Sequence, residues 1–277
     1  MRKGLVRRSI AGLLFALLCL ASALNAYVYA AVFTWFIFLM TEELFKMMVP
    51  GKRYLKEKIC IYVAEISFFL LLFFHFQCSL PLKWAALSIV PLTLTYVFML
   101  RDCSSDMDFN AALFFPLVYV LVPMTSSLVL VYAGGEFYGW MLFAVWMMVC
   151  LNDVGAYVLG MSFGQKPGSR KLSPALSPKK SWMGVYGGVA FTFISAVACR
   201  MVFGSEALAL VHWLVIALII SVFGILGDLF ESLIKRHVSV KDAGSIMPGH
   251  GGALDRLDSM ILVLPLVILY LKLIAYF

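Results

Sequence analysis

Charge is scarce in this chain: Asp, Glu, Lys and Arg make up 13% of 277 residues, whereas 63% are hydrophobic. A soluble domain of this length has no interior large enough to hide so much apolar surface, and no polar block is long enough to form an independent domain. The six cysteines, Cys19, Cys60, Cys78, Cys103, Cys150 and Cys199, lack any paired spacing. That excludes a zinc cage or a disulfide framework and leaves them as small apolar residues. There is no P-loop, no His-Glu-x-x-His and no repeat of 20 to 50 residues, so the common nucleotide-cradle, zinc-protease and solenoid readings fall away. The apolar runs also lack the alternation of barrel strands.

What is present is a series of apolar runs long enough to cross a bilayer. Backbone amides cannot stay unpaired in hydrocarbon, so the fold class expected is an all-α polytopic membrane protein. Nine spans are expected, at about 9–24, 26–40, 59–76, 84–100, 111–132, 139–160, 185–203, 208–227 and 259–276. Asn25 is the one break in the first long run, and Pro91, Pro116, Pro123 and Pro265 are expected to kink helices rather than end them. Residues 1–277 read as a single integral membrane domain, with amino-terminal spans over 1–135 and a catalytic membrane region over 136–277, whose loops 161–184 and 227–258 face inward.

Cytoplasmic loops collect Lys and Arg. With the N-terminus inside and the C-terminus outside, all of the 22 basic residues except Lys83, Arg200 and Lys272 fall on inner segments. The net charge of +7 is then this bias, matched by anionic headgroups of the inner leaflet, and calls for no nucleic-acid partner. The first span carries signal-peptide features, basic residues before an apolar core and Ala21-Ser22-Ala23 after it. A second apolar run follows at once, and an uncleaved first helix is the simpler expectation.

Chemistry concentrates in 227–258. If the eighth helix continues past Gly227, then Asp228, Glu231, Ser232 and Lys235 share one face, with Phe230, Leu233 and Ile234 on the other. The bland alternative is an i,i+4 ion pair between Glu231 and Lys235 on a solvated face. Lys241-Asp242-Ala243-Gly244 and Pro248-Gly249-His250-Gly251-Gly252 follow, then Leu254-Asp255-Arg256-Leu257-Asp258 opens the ninth span. Glycines there let N–H groups turn toward an anion, while His250, Lys235, Arg236, Lys241 and Arg256 supply donors for phosphate oxygens. Asp255 and Asp258 have helix capping as their bland reading. Capping does not account for Asp228 ending the preceding span at the same depth. Converging carboxylates and bases point to a metal and a polyphosphate. Mg²⁺ needs only one or two carboxylates beside substrate phosphates, so Asp228 and Asp255 suffice, and Asp258 can orient that ion or hold a second, divalent or monovalent, cation.

Two further inner segments stand out. Asp153, in Asn152-Asp153-Val154-Gly155-Ala156-Tyr157 at the inner end of the sixth span, is ionisable close to hydrocarbon and so a site candidate. Its alternative role is a hydrogen bond to a neighbouring helix, and no second carboxylate follows to make a prenyl-diphosphate motif. The loop 166–182 carries Lys171, Ser173, Ser177, Lys179 and Lys180 and two Ser-Pro steps that stiffen it, a clamp suited to a nucleotide or lipid phosphate, unless it is no more than a positive-inside loop.

Together these segments resemble the bacterial phosphatidate cytidylyltransferases, or CDP-diacylglycerol synthases. The residues that carry the resemblance are Ser232-x-x-Lys235-Arg236, Lys241-Asp242-x-Gly244, Pro248-x-His250-Gly251-Gly252 and Asp255-Arg256-x-Asp258. Gly227-Asp228-Leu229-Phe230-Glu231, Asp153-x-Gly155-Ala156-Tyr157 and Lys171-Leu172-Ser173-Pro174 through Ser177-Pro178-Lys179-Lys180-Ser181-Trp182 agree too. The likeness is close over about 150–260 and one of character before it. Met183 stands where the family usually has Glu, and Met247 and Ala253 are unusual within the signature.

The resemblance implies transfer of the cytidylyl group of CTP to phosphatidic acid, giving CDP-diacylglycerol and pyrophosphate. It assigns Asp228 and Asp255 to metal, Asp258 and Asp153 to metal support, and Lys235, Arg236, Lys241, His250 and Arg256 to phosphates. Asp242, Gly251 and Gly252 belong to the same signature, and Lys171, Ser173, Ser177, Lys179 and Lys180 are substrate contacts. It also implies Mg²⁺, an inner-membrane location with the site on the cytoplasmic face, and a homodimer. The alternatives are a CTP-dependent lipid kinase, which would transfer the γ-phosphoryl group, and a secondary transporter. The transporter would want midplane carboxylates and broken helices in related halves, neither of which is visible here.

Overall fold

A peptide group in hydrocarbon must find its partner within its own segment, so long apolar runs wind into helices. The computed structural model describes residues 2–49, 54–101, 107–244 and 251–276. In order the elements are α1 (Arg2–Leu24), α2 (Ala26–Met48), α3 (Leu55–Cys78), a 3₁₀ helix (Leu82–Ser88) running into α4 (Ile89–Arg101), α5 (Met107–Pro116), a π turn (Leu117–Leu121), α6 (Val122–Val131), α7 (Trp140–Ser162), a hairpin of β1 (Lys171–Ser173) and β2 (Ser177–Ser181), α8 (Trp182–Ala207), α9 (Leu210–His237) and α10 (Leu254–Leu273). The chain is an all-α, multi-pass membrane protein whose described strands amount to that one hairpin.

Among the described residues, seven helical stretches are long and apolar enough to cross a membrane: Ala26–Met48, Leu55–Cys78, Leu82–Met99, Asn110–Val131, Trp140–Ser162, Trp182–Gly204 and Leu210–His237. They coincide with the second to eighth expected spans. The first expected span corresponds to the shorter apolar helix Gly12–Leu24, and the ninth to α10.

Local chemistry explains the breaks. Asn25 separates α1 from α2 as a cap, its side chain accepting the N–H groups of Tyr27 and Val28. Pro116 and Pro123 interrupt one expected span, which the chain absorbs as the π turn between α5 and α6. Gly204, at φ +77°, bends α8. Two helices outrun their apolar stretches: α2 continues past Met40 to Met48, carrying Glu42 and Glu43, and α9 continues past Gly227 to His237.

The described chain forms two compact units, the first of Met1–Trp140 with Asp242–Arg256, the second of Met141–Lys241 with Leu257–Phe277. The first has an aromatic core in α2 and α3, in which Phe33 stacks on Phe69 and Tyr29 packs tilted against Phe33. In the second, α7 and α8 meet through glycines: a Cβ at Gly155 would fall on the Gly187 carbonyl, and one at Gly187 on the Gly155 carbonyl. Small residues at such a crossing let membrane helices pack backbone to backbone.

Candidate active site

The second unit gathers carboxylates where α9 and α10 touch. Gly227 permits the contact, because a Cβ there would come within 2.6 Å of the Asp258 carbonyl oxygen. Asp228 follows on α9, Glu231 lies three residues on, and Asp258 stands in the first turns of α10. Ligand oxygens of these three residues all lie within 4.8 Å of one another.

Two lysines face the cluster. Lys180, at the end of β2, makes an ion pair with Asp228. Lys235 pairs with Glu231 at 2.7 Å, within a stretch of α9 where Glu231, Ser232 and Lys235 are all buried. The expected charged stripe exists, but it is the inward face of the helix end, while Phe230 and Leu233 point outward and Ile234 is buried. The Glu231–Lys235 pair is therefore no solvated surface pair.

Asp258, which stands before the ninth expected span, is held well above the ordinary carboxylate range, first by burial and then by the neighbouring Asp228 and Glu231 carboxylates, with Asp153 adding to the effect. Crowded carboxylates of this kind are hard oxygen donors, and a divalent cation relieves their repulsion. The donor set thus fits Mg²⁺.

Beside the cluster opens a cavity of about 550 Å³, bordered by Asp153, Gln165, Lys179, Lys180, Asp228 and Ser259. Asn152 in its wall is buried and accepts a hydrogen bond from the Thr192 hydroxyl at 3.1 Å. The hairpin forms its rim: Lys171 pairs with Ser181 and Ser173 with Ser177 across the strands. Ser181 also starts α8, accepting the Gly184 N–H at 3.3 Å. Lys179 is exposed and borders the cavity, whereas Lys171 is spent within the loop, donating to the Gly164 carbonyl and the Gln165 side chain. Arg236, exposed, reaches the carbonyls of Leu176 and Val240, and Lys241 is exposed. Lys166, Arg170, Trp182 and Tyr186 line a second hollow of about 640 Å³.

The first unit contains the other half of the signature. Asp255 accepts N–H groups from Gly252 at 2.7 Å and Ala243 at 3.2 Å, so its capping role is real. Gly251 takes a left-handed φ of +85° beside it, which only glycine adopts without strain. Asp242 and Arg256 are exposed. His250 and Met247 lie outside the described residues.

Two carboxylates to which the sequence analysis gave no role take a place here. Glu231 joins Asp228 and Asp258, a place its three-residue spacing from Asp228 already hinted at. Glu43 of α2, 1% exposed, accepts the N–H groups of Ala253 at 3.0 Å and Leu254 at 2.8 Å. Its only signal is an ionisable residue close to a span, muted because the apolar run ends at Met40.

Comparison with known proteins agrees with this architecture. The model of the cytidylyltransferase family matches residues 5–274. The phosphatidate cytidylyltransferase of Bacillus subtilis (strain 168) is 36% identical over 191 residues, covering 69% of this chain and 68% of that protein. The protein of the same name from Staphylococcus saprophyticus is 47% identical over 128 residues, 46% of this chain and 47% of the relative. That from Pseudomonas aeruginosa is 40% identical over 146 residues, 53% and 52% of the two chains. In these last two the alignment spans about half the length of the relative. With a match that runs nearly from end to end, on a chain whose helix ends bring acidic and basic groups together, this protein belongs to the cytidylyltransferase family.

Proposed function

We propose that this chain is a phosphatidate cytidylyltransferase, which makes CDP-diacylglycerol and pyrophosphate from CTP and phosphatidic acid. The observation that carries the reading is the cluster of Asp228, Glu231 and Asp258, flanked by Lys180 and Lys235 and opening on the cavity beside Asp153.

A phosphate oxygen of the lipid attacks the α-phosphorus of CTP. The bond from that phosphorus to the bridging β-oxygen breaks, and pyrophosphate leaves with the electron pair. The attacking oxygen is already anionic near neutral pH, so the residues need only position two anions and neutralise them. Asp228 and Asp258, with Glu231 beside them, would hold Mg²⁺, and the family signature adds Asp255 as a metal ligand. When bound, that ion offsets charge on the CTP oxygens and on the departing pyrophosphate, and a second cation has carboxylates to spare. Lys179, Lys180, Lys235, Arg236, Lys241, His250 and Arg256 serve the phosphates, and Asp153 supports the cluster. Ser173 and Ser177 lie on the hairpin at the rim, and Lys171 stiffens the loop behind them. Asp242 and the glycines 251 and 252 shape the turn into α10.

The same reading sets nine spans, an N-terminus in the cytoplasm and a C-terminus outside, with the site on the cytoplasmic face of the inner membrane. The placement of basic residues supports this orientation. A homodimer is the expected assembly. The test is direct: purified protein in detergent, given labelled CTP, phosphatidic acid and Mg²⁺, yields a CDP-lipid and pyrophosphate. A lipid pyrophosphate with free CDP would instead establish γ-phosphoryl transfer.

A further inference from the structure

We propose that Glu43, on a helix far from the family signature in sequence, is a positioning residue for the reaction, fixing the segment that carries Asp255. The inference rests on the cytidylyl-transfer reading above.

The first N–H groups of a helix have no partner within it and form the positive end of its dipole. For α10 those groups belong to a stretch preceded by Ala253, which offers no side-chain oxygen. The cap comes instead from α2, 210 positions away in sequence, with one Glu43 oxygen on the Ala253 N–H and the other on the Leu254 N–H. A Ser or Asn at position 253 would cap the helix locally without burying a charge. Glu43 does what a local cap cannot: it ties the start of α10 to α2.

Glycines on both sides of the signature make room for it. A Cβ at Gly244 or at Gly252 would fall on the Glu43 carboxylate, and neither glycine has a left-handed φ, so space and not backbone freedom requires glycine there. Asp255 closes the arrangement by accepting N–H groups from Ala243 and Gly252. Two carboxylates thereby clamp 243–244 and 252–254, both ends of the stretch whose middle, 245–250, lies outside the described residues.

The experiment compares Glu43→Gln, Gly252→Ala and the double variant Glu43→Asp with Gly252→Ala, in the full-length detergent-solubilised protein. Gln replaces one acceptor with an NH₂ group facing an N–H donor. Misplacement by about 1 Å costs on the order of 10²-fold in rate, so Glu43→Gln and Gly252→Ala are each expected to lower kcat about 100-fold and to speed amide hydrogen exchange in peptides covering 251–256. Shortening residue 43 by one methylene makes room for the added Cβ, and the double variant is expected to recover about tenfold over Gly252→Ala in both readouts. If the variants lower the melting temperature but the folded fraction keeps wild-type kcat, or if the double variant is no better than Gly252→Ala, the proposal is overturned. Should Glu43→Gln fail to fold, the Gly252→Ala comparison decides alone. Exchange does not depend on the product formed, so wild-type protein that makes no CDP-lipid would sink the functional reading and leave the clamp to be judged by exchange.

Discussion

Gly227 of α9 lies against the main chain of Asp258 in α10, so closely that a methyl group at position 227 would come within 2.6 Å of the Asp258 carbonyl oxygen and 3.2 Å of the Ser259 Cα. This contact sets the distance between Asp228 and Asp258. Gly227→Ala should push the helices apart and lower kcat by about 10²-fold, with the bundle still folded. Kinetics of the purified variant beside its thermal unfolding curve would check this.

Asp258 gives the cluster a pH dependence. Its carboxyl titrates well above the ordinary range through burial and the Asp228 and Glu231 charges, so at lower pH it keeps a proton that a cation must displace. Apparent Mg²⁺ affinity should therefore rise as pH climbs above the ordinary carboxylate range. The sign for folding is opposite: a raised carboxyl pKa favours the metal-free fold at low pH, and that contribution fades as pH climbs through the raised value. Mg²⁺ titrations of activity across a pH series, in wild type and Asp258→Asn, are the measurement; a flat wild-type profile would contradict the assignment.

Asp255→Asn should abolish turnover without unfolding the bundle, since Asn still accepts one amide bond but brings no charge to a cation. Product formation at wild-type rate by that variant would remove Asp255 from the metal set.

Lys180 answers Asp228 from the hairpin, where it borders the cavity. Lys180→Met should raise the KM for CTP and lower kcat/KM by about 10- to 100-fold, as expected when a charge-assisted contact worth about 1.5–3 kcal/mol is lost. Steady-state kinetics with CTP varied at saturating lipid would show it.

The buried pair of Glu231 and Lys235 separates stability from activity. Glu231→Gln takes the charge from the 2.7 Å partner of the buried Lys235 ammonium, and breaking one side of a buried pair costs about 3–5 kcal/mol. Adding Lys235→Met should restore most of the stability and none of the turnover. Thermal melts and product assays of the three variants complete the cycle.

Much of the site is legible in the chain because it is local. Asp228, Glu231 and Lys235 share a face of α9 by helical spacing alone, and Asp255 and Asp258 are three apart at the head of α10. The hairpin of 171–181 was less visible: its Ser-Pro steps and lysines read as a stiff loop, and nothing in their spacing announced that Ser181 would turn it into the cap of α8. Glu43 was hidden for another reason. Its apolar run stops at Met40, and only the packing of the helix that continues to Met48 buries it.

The sequence by itself determined that the chain crosses the membrane repeatedly as helices, which charged residues lie at the ends of those helices, and which chemistry they suit. Apolar length, periodicity and the sidedness of basic residues are one-dimensional quantities, and hydrocarbon allows the backbone few other solutions. Only the tertiary structure decided that Glu231 stands beside Asp228 and Asp258, that the charged face of α9 turns inward, and that a carboxylate of α2 holds the head of α10. Those relations depend on how closely helices approach, and glycines such as Gly227, Gly244 and Gly252 control that approach through neighbours far away in the chain.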